Sequence, residues 1–223
     1  MEIYKLEIAC FNLKSAIIAQ KNGADRIELC ANMEDGGTTP DFKITEQARN
    51  ELDIDLNIMI RPRGGDFVYT DAEFEQMKSE INTFKQLNVD GFVFGILDKE
   101  GNINSIQNTE LIKLASPIPC TFHRAFDVVN DVYKSLEIVI ECGFKTILTS
   151  GQEKNVVEGI DVLAELVKKA NNRIVIMLGG GLRSTNIDLI REKTKALFYH
   201  SSAITQAGEI ANGDEIKKLK NRC

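Results

Sequence analysis

Short runs of β-branched and aromatic residues alternate eight times with longer amphipathic stretches along this chain. Strands that alternate with helices are typical of parallel sheets built from βαβ units. No Gly/Ser/Pro-rich linker divides the 223 residues, and no Gly-x-Gly-x-x-Gly motif follows the first run to favour a doubly wound sheet. The chain therefore predicts an α/β fold, a (β/α)8 TIM barrel that forms a single domain over residues 1–223. The predicted strands are Leu6–Cys10, Arg26–Cys30, Leu56–Arg61, Gly91–Ile96, Cys120–Arg124, Thr146–Ser150, Ile174–Leu178 and Leu197–His200.

The stretches between these runs carry helix signals. The clearest follows Thr70, which is placed to form a capping box with Glu73, and its apolar residues then repeat on one face. Gly143 lies where a left-handed residue would end a helix predicted over about 130–142. A further helix is predicted over about 155–170.

Strand parity predicts polar side chains inside the barrel. Ile27 and Leu29 suit the face that contacts the helices, so Glu28 between them points inward. A barrel interior that served stability alone would be filled with Val, Ile and Leu. Two interpretations remain open: a ligand site, or an internal ion-pair network in which Arg61 or Arg26 neutralises the glutamates. The predicted polar interior consists of Glu7, Glu28, Asn57, Arg61 and His123.

Basic and small residues follow the predicted strand ends, where TIM barrels bind their ligands. The loops after strands seven and eight commonly hold a phosphate, and glycines there let the backbone approach an anion closely. The catalytic residues predicted are Glu28 and His123, as general base or acid, together with Arg61. The predicted anion-binding residues are Arg63, Arg124, Gly179, Gly180, Gly181, Ser201 and Ser202.

Composition narrows the class of protein. The 33 acidic and 27 basic residues give a net charge of −6, which disfavours binding to nucleic acid or to an anionic membrane. No apolar run approaches the roughly 20 residues that a membrane-spanning helix needs. The five cysteines are scattered and form no C-x-x-C pair, so we expect a cytoplasmic protein with free thiols rather than a disulfide framework.

Two of these cysteines, Cys10 and Cys30, end the first two predicted strands, which are neighbours in a barrel. Two thiolates without hard oxygen ligands would favour a soft ion, Cu(I) above all. The alternative is that both are small buried apolar side chains, as free cysteines usually are. Parity directs Cys30 inward but Cys10 outward, unless the first strand bulges or has already ended.

Eight short motifs stand in order along the chain. They are Arg26–Cys30, Gly36–Pro40, Ile60–Phe67, Val93–Gly95, Thr121–Asp127, Leu148–Gly151, Gly179–Gly181 and His200–Ala203. In this order they resemble the CutC copper homeostasis family over about residues 5–203. The resemblance implies a cytoplasmic (β/α)8 barrel that handles copper, forms homo-oligomers and binds Cu(I) through Cys10 and Cys30.

Two hypotheses therefore stand at the level of sequence. In the first, the protein handles copper, with Cu(I) on the two cysteines and the barrel as a scaffold. In the second, it is an enzyme that acts on a small anionic or phosphorylated metabolite at the carboxyl ends of the strands. The first explains two cysteines, whereas the second explains the charged rim as well. The sequence leaves open whether the chain catalyses a reaction.

Overall fold

The computed structural model describes residues 4–220 and contains a closed barrel of eight parallel strands. Each strand pairs with the next along the chain, and the eighth pairs with the first to close the ring. The predicted TIM barrel is confirmed. In chain order the strands are β1 Lys5–Cys10, β2 Arg26–Leu29, β3 Asp55–Met59, β4 Gly91–Phe94, β5 Cys120–Phe122, β6 Thr146–Thr149, β7 Val175–Gly179 and β8 Phe198–Ser201.

One α-helix follows each strand and packs on the outside of the barrel. Thr70 and Glu73 make the predicted capping box at the start of helix Asp71–Lys85, and Gly143 ends helix Val132–Cys142 in the left-handed region with a φ of 102°. Met33–Asp35 and Arg124–Val128 add short 3-10 turns after β2 and β5. The helices are α1 Leu13–Lys21, α2 Phe42–Glu51, α3 Asp71–Lys85, α4 Ser105–Ala115, α5 Val132–Cys142, α6 Ile160–Ala170, α7 Ile187–Thr194 and α8 Gly213–Lys220.

Several strands end one or two residues earlier than the sequence predicts. Arg61 lies outside β3 because its backbone N–H donates to the Thr39 hydroxyl rather than to a neighbouring strand. His123 and Arg124 likewise lie beyond β5, and Arg124 opens the 3-10 turn there. The polar residues at these ends are therefore the first residues of the loops.

Two apolar regions follow from the alternation of side chains along the strands. The main core lies between the strands and the helices and includes Leu6, Ile8 and Cys10 of β1. A second, small cluster inside the barrel consists of Cys30, Met59 and Val93, with Phe11 packed against it.

Glycines inside the barrel make room for the polar side chains. A Cβ atom on Gly95 would lie 2.8 Å from His123 Nδ1, and one on Gly179 would lie 3.0 Å from the Cβ of His200. Any larger residue at either position would displace the neighbouring imidazole. The described helices, between residues 4 and 220, include none that is both long and apolar enough to cross a membrane.

Candidate functional site

A cavity of about 430 Å³ opens at the carboxyl ends of the strands. Its volume falls in the range of pockets that hold small metabolites. Residues from the ends of seven strands and from the following loops form its wall. Of the residues predicted from sequence, those that line it are Glu28, Cys30, Arg61, His123, Arg124, Gly180, Gly181, Ser201 and Ser202.

Glu7 lies at the centre of a buried ion-pair network below the cavity. Its Oε2 accepts from Arg26 Nε at 2.6 Å, and its Oε1 lies 2.7 Å from His200 Nδ1. Burial alone would raise the pKa of Glu7, but Arg26 and His200 outweigh it and lower the pKa to about 2. The ion-pair interpretation therefore describes Glu7, although its partners are Arg26 and His200 rather than Arg61.

The charge of Glu28 is less fully neutralised by its neighbours than the charge of Glu7. Its Oε2 accepts weakly from the Cys30 thiol at 3.5 Å and lies 3.9 Å from His200 Nε2, while its Oε1 is buried without a hydrogen-bond partner among residues 4–220. Burial is the largest influence on its pKa, which rises to about 7 despite the opposing effect of His200. A carboxyl group with that pKa can accept or donate a proton near neutral pH.

His123 presents a neutral imidazole to the same cavity. Its Nδ1 accepts from the Ala125 N–H at 3.3 Å, so the ring proton resides on Nε2. Nε2 is buried and has no partner within the described part of the chain. Burial, followed by the positive charge of Arg61, lowers the pKa of His123 to about 3.

Arg61 serves mainly to hold loops together. Its guanidinium donates to the carbonyl oxygens of Asp35, Gly37 and Gly65 at 2.6–2.9 Å and lies over the ring of Phe67. Only its Nε, which is buried, lacks a partner among the described residues. The Nε–H is therefore the group of Arg61 that remains available to a ligand, and the predicted catalytic role of Arg61 would depend on it.

Two predicted anion-binding residues lie elsewhere. Arg63 is absent from the cavity wall, and its guanidinium binds Glu73, Asp66 and backbone carbonyls within its own loop. Gly179 is part of β7, where its hydrogen faces the space taken by Leu148 and His200. Neither Arg63 nor Gly179 therefore lines this cavity.

The wall formed by the loops after β5, β7 and β8 is rich in donors. Arg124 lies against Gly180 and donates to Asp127 at 2.7 Å and to the Ser150 hydroxyl at 2.8 Å. Arg183 donates to the hydroxyl of Ser201 at 3.1 Å. This wall combines two guanidinium groups with hydroxyls and a glycine backbone, the donor types that bind anions.

Arg183 and Asp127 line the cavity, although the sequence assigned them no binding or catalytic role. Arg183 follows the three glycines closely, and its position after strand seven could have suggested its role. Asp127 accepts from Thr149, Ser150 and Arg124, and so positions the Arg124 guanidinium. The barrel fold predicts that His200, which ends the eighth predicted strand, lies at the same mouth as Glu28 and His123, and it does. Its bond to Glu7 could not be read from one strand alone.

Cys10 and Cys30 do not fit a two-thiolate copper site. The Cys10 side chain belongs to the main core outside the barrel and donates to the Ile8 carbonyl at 3.6 Å, whereas Cys30 faces the cavity. Burial, reinforced by the charge of Glu28, raises the pKa of both thiols well above the ordinary value. Cu(I) binds thiolates, so each thiol would have to release its proton before it could serve as a ligand.

Glu7, Glu28 and His200 could offer three metal ligands within 4.8 Å of one another, the one such group among the described residues. Both oxygens of Glu7 are already engaged by Arg26 and His200. The group is therefore an ion-pair network rather than a ready metal centre.

The chain resembles known proteins over most of its length. A model described as the CutC family matches residues 4–205. A family protein CutC from Parabacteroides distasonis is 46% identical over 199 residues, which cover 89% of this chain and 82% of that protein. The human copper homeostasis protein cutC homolog is 40% identical over 90% of this chain and 73% of its own length. The crystal structure of a putative copper homeostasis protein CutC from Streptococcus agalactiae superimposes with a TM-score of 0.86 at 35% identity, and covers 90% of this chain and 99% of that one.

Proposed function

The chain belongs to the CutC family, and on that premise we propose that it is an enzyme that binds a small anionic metabolite at the barrel mouth and transfers a proton on it. The arginine-rich wall binds the anionic group, and the acid–base groups across the cavity act on the rest of the molecule. Glu28 is the proton-transfer residue of this proposal.

One observation carries the proposal. Glu28 Oε1, Arg61 Nε and His123 Nε2 are all buried at the cavity without a hydrogen-bond partner among residues 4–220. A buried polar atom without a partner costs about 1–3 kcal/mol. Three such atoms around one cavity are explained most simply by a polar ligand that satisfies them together. An internal ion-pair network would have paired them.

Charge supports the anionic class of ligand. Arg124 and Arg183 reach the cavity from neighbouring loops, and Ser202 adds a hydroxyl beside them. Arginine donates to phosphate or carboxylate through two parallel N–H groups, which fixes orientation as well as affinity. The Arg124 side chain is 43% exposed and so remains accessible from solvent.

A thermal-shift screen with inorganic phosphate and with phosphorylated and carboxylated metabolites tests the proposal. A ligand that binds only the folded state at about 100 times its Kd should raise Tm by roughly 5–10 °C for a chain of this size. Arg124→Ala and Arg183→Ala should remove most of that rise, because each deletes a donor at the cavity wall.

Arg173→Ala is the matched control. Arg173 is as exposed as Arg124, at 44%, but it pairs with Glu137 on the outside of the barrel. Its replacement should leave the ligand-induced rise unchanged. A screen in which no anion stabilises the wild-type protein contradicts the proposed function.

Copper binding is the second candidate. The observation in its favour is that the Cys30 thiol packs with the Met59 thioether at the cavity wall, and both sulfurs are soft donors. The name of the human relative attributes copper homeostasis to that protein. For this chain, copper binding stays a prediction, as does a homo-oligomeric state.

We also propose a cytoplasmic location for this protein. Cys10, Cys30, Cys120 and Cys142 are all free thiols, and free thiols persist most readily in a reducing compartment.

A further inference from the structure

The hydrogen-bond role of His123 is fixed by its own loop. Because Nδ1 accepts the Ala125 N–H, the neutral ring must carry its proton on Nε2. Phe67 packs against the ring at a centroid distance of 4.9 Å and keeps water from that face. The side chain is thus a neutral N–H donor that no described protein group satisfies.

Glu28 supplies the complementary group from another part of the ring. It lies on β2, three strands from β5, and its unpartnered oxygen borders the same cavity as His123. A ligand between the two strands can therefore receive a hydrogen bond from one group while it gives a proton to the other. The buried Nε of Arg61, from the end of β3, adds a second donor between them.

We propose that the anionic substrate carries a carbonyl group with an acidic C–H beside it, and that Glu28 removes this proton while His123 Nε2–H donates to the carbonyl oxygen. This inference rests on the proposed function and specifies its substrate class and chemistry. A neutral imidazole opposite a carboxylate base is an arrangement that other enzymes use for proton abstraction beside a carbonyl.

The electrons and atoms of this step balance without a co-reactant. The Glu28 carboxylate forms an O–H bond as the substrate C–H bond breaks, and the C–H electron pair becomes a C=C bond. The carbonyl π pair moves onto oxygen, where the N–H groups of His123 and Arg61 stabilise the negative charge. Glu28 exchanges this proton with solvent and returns a proton to the same carbon as the C=O bond re-forms, so the substrate acquires a hydrogen from solvent at that carbon.

Two pairs of compounds test the inference with the full-length chain. Dihydroxyacetone phosphate and ribulose 5-phosphate contain the carbonyl, whereas glycerol 3-phosphate and ribitol 5-phosphate are their reduced counterparts. In D2O, proton NMR should record the loss of carbon-bound protons beside the carbonyl, faster than in an enzyme-free sample. The reduced compounds should bind and raise Tm without any such exchange.

The variants separate the two roles. Glu28→Gln should slow exchange by roughly 100-fold or more, the usual contribution of a positioned base. His123→Phe, which suits the aromatic surroundings but has no N–H, should slow it by roughly 100-fold, while the ketones still raise Tm. His123→Gln restores a donor and should recover part of the rate, whereas Arg173→Ala should exchange at the wild-type rate.

The outcomes distinguish this inference from the proposed function. If the phosphorylated compounds raise Tm but no ketone exchanges in the wild-type protein, enolisation is wrong and anion binding stands. Exchange at the wild-type rate in Glu28→Gln would also overturn the assignment of the base. If none of the four compounds raises Tm but another anion of the thermal-shift screen does, this inference is overturned and the proposed function stands; if no anion does, both fail.

Discussion

The two histidines of the chain lie at one cavity but differ in their pKa. Burial and then Arg61 hold the pKa of His123 at about 3. Burial also disfavours the charged form of His200, but the charges of Glu28 and Glu7 outweigh it and raise the pKa above its usual value. The carboxylates beside one ring and the guanidinium near the other explain the opposite directions.

We therefore expect one histidine to titrate and the other to stay silent. In proton NMR spectra, the His123 Cε1–H signal should not move between pH 5 and 8, and the His200 signal should move with a midpoint above about 6.5. The variants His123→Gln and His200→Gln assign the two signals. A His123 signal that moves with a midpoint near 6.5 would contradict a neutral donor at the cavity.

The same shifts have opposite effects on stability. The raised pKa of His200 stabilises the fold below the unfolded-state value, and that contribution is lost as pH rises through the folded-state pKa. The lowered pKa of His123 stabilises the fold above the unfolded-state value, and that contribution is lost as pH falls toward 3. Each histidine variant should flatten one side of the stability profile.

At the scale of an element, the face of a strand decides what a side chain can do. Cys10 ends β1 and Cys30 directly follows β2, the strand that pairs with β1, and the Cys30 N–H donates to the Cys10 carbonyl at 2.9 Å. Their side chains nevertheless belong to different layers, because Cys10 shares the outward face of β1 with Ile8. Adjacent backbones are therefore compatible with separate environments for the two sulfurs.

The different layers in which the two cysteine side chains lie predict how copper affinity responds to their substitution. In a competition titration against a Cu(I) chelator, Cys30→Ser should weaken any binding, whereas Cys10→Ser should leave it unchanged. Cys120→Ser, at the start of β5, is the control for loss of a buried thiol. An equal loss of affinity in Cys10→Ser and Cys30→Ser would restore the two-thiolate site and overturn the layer argument.

The strands could be predicted from the sequence more fully than the contacts made by the loops. All eight strands and the inward direction of Glu28 and His123 followed from periodicity, because parity acts within a single strand. The hydrogen bonds of Arg61 and Arg63 could not be predicted in this way, because their partners are backbone carbonyls and acidic groups of irregular loops. Contacts between strands that are far apart in the sequence, such as the bond of Glu7 in β1 to His200 in β8, cannot be predicted from either strand alone.

At the scale of the whole molecule, one core joins every strand and helix. Buried residues from β1 through α8 form a single contiguous cluster between the barrel and its helices. The ring of strands also has no break at which one half could separate from the other. The elements therefore depend on one another for burial of their apolar faces.

We accordingly expect one cooperative unfolding transition. The chain has no tryptophan and four tyrosines, so tyrosine fluorescence and far-UV circular dichroism can be followed together. The two signals should give the same midpoint in urea. Two separated midpoints would contradict the prediction of a single domain over residues 1–223.

Closure of the ring has a consequence for biosynthesis. The Lys5 N–H donates to the Leu197 carbonyl, and β1 pairs with β8, so the first strand completes its hydrogen bonds only once the last of the eight strands has been made. Until Phe198–Ser201 leaves the ribosome, the nascent protein exposes two unpaired strand edges, and such edges recruit other chains. Messages cut short before this strand should therefore yield aggregates rather than smaller, partly active proteins.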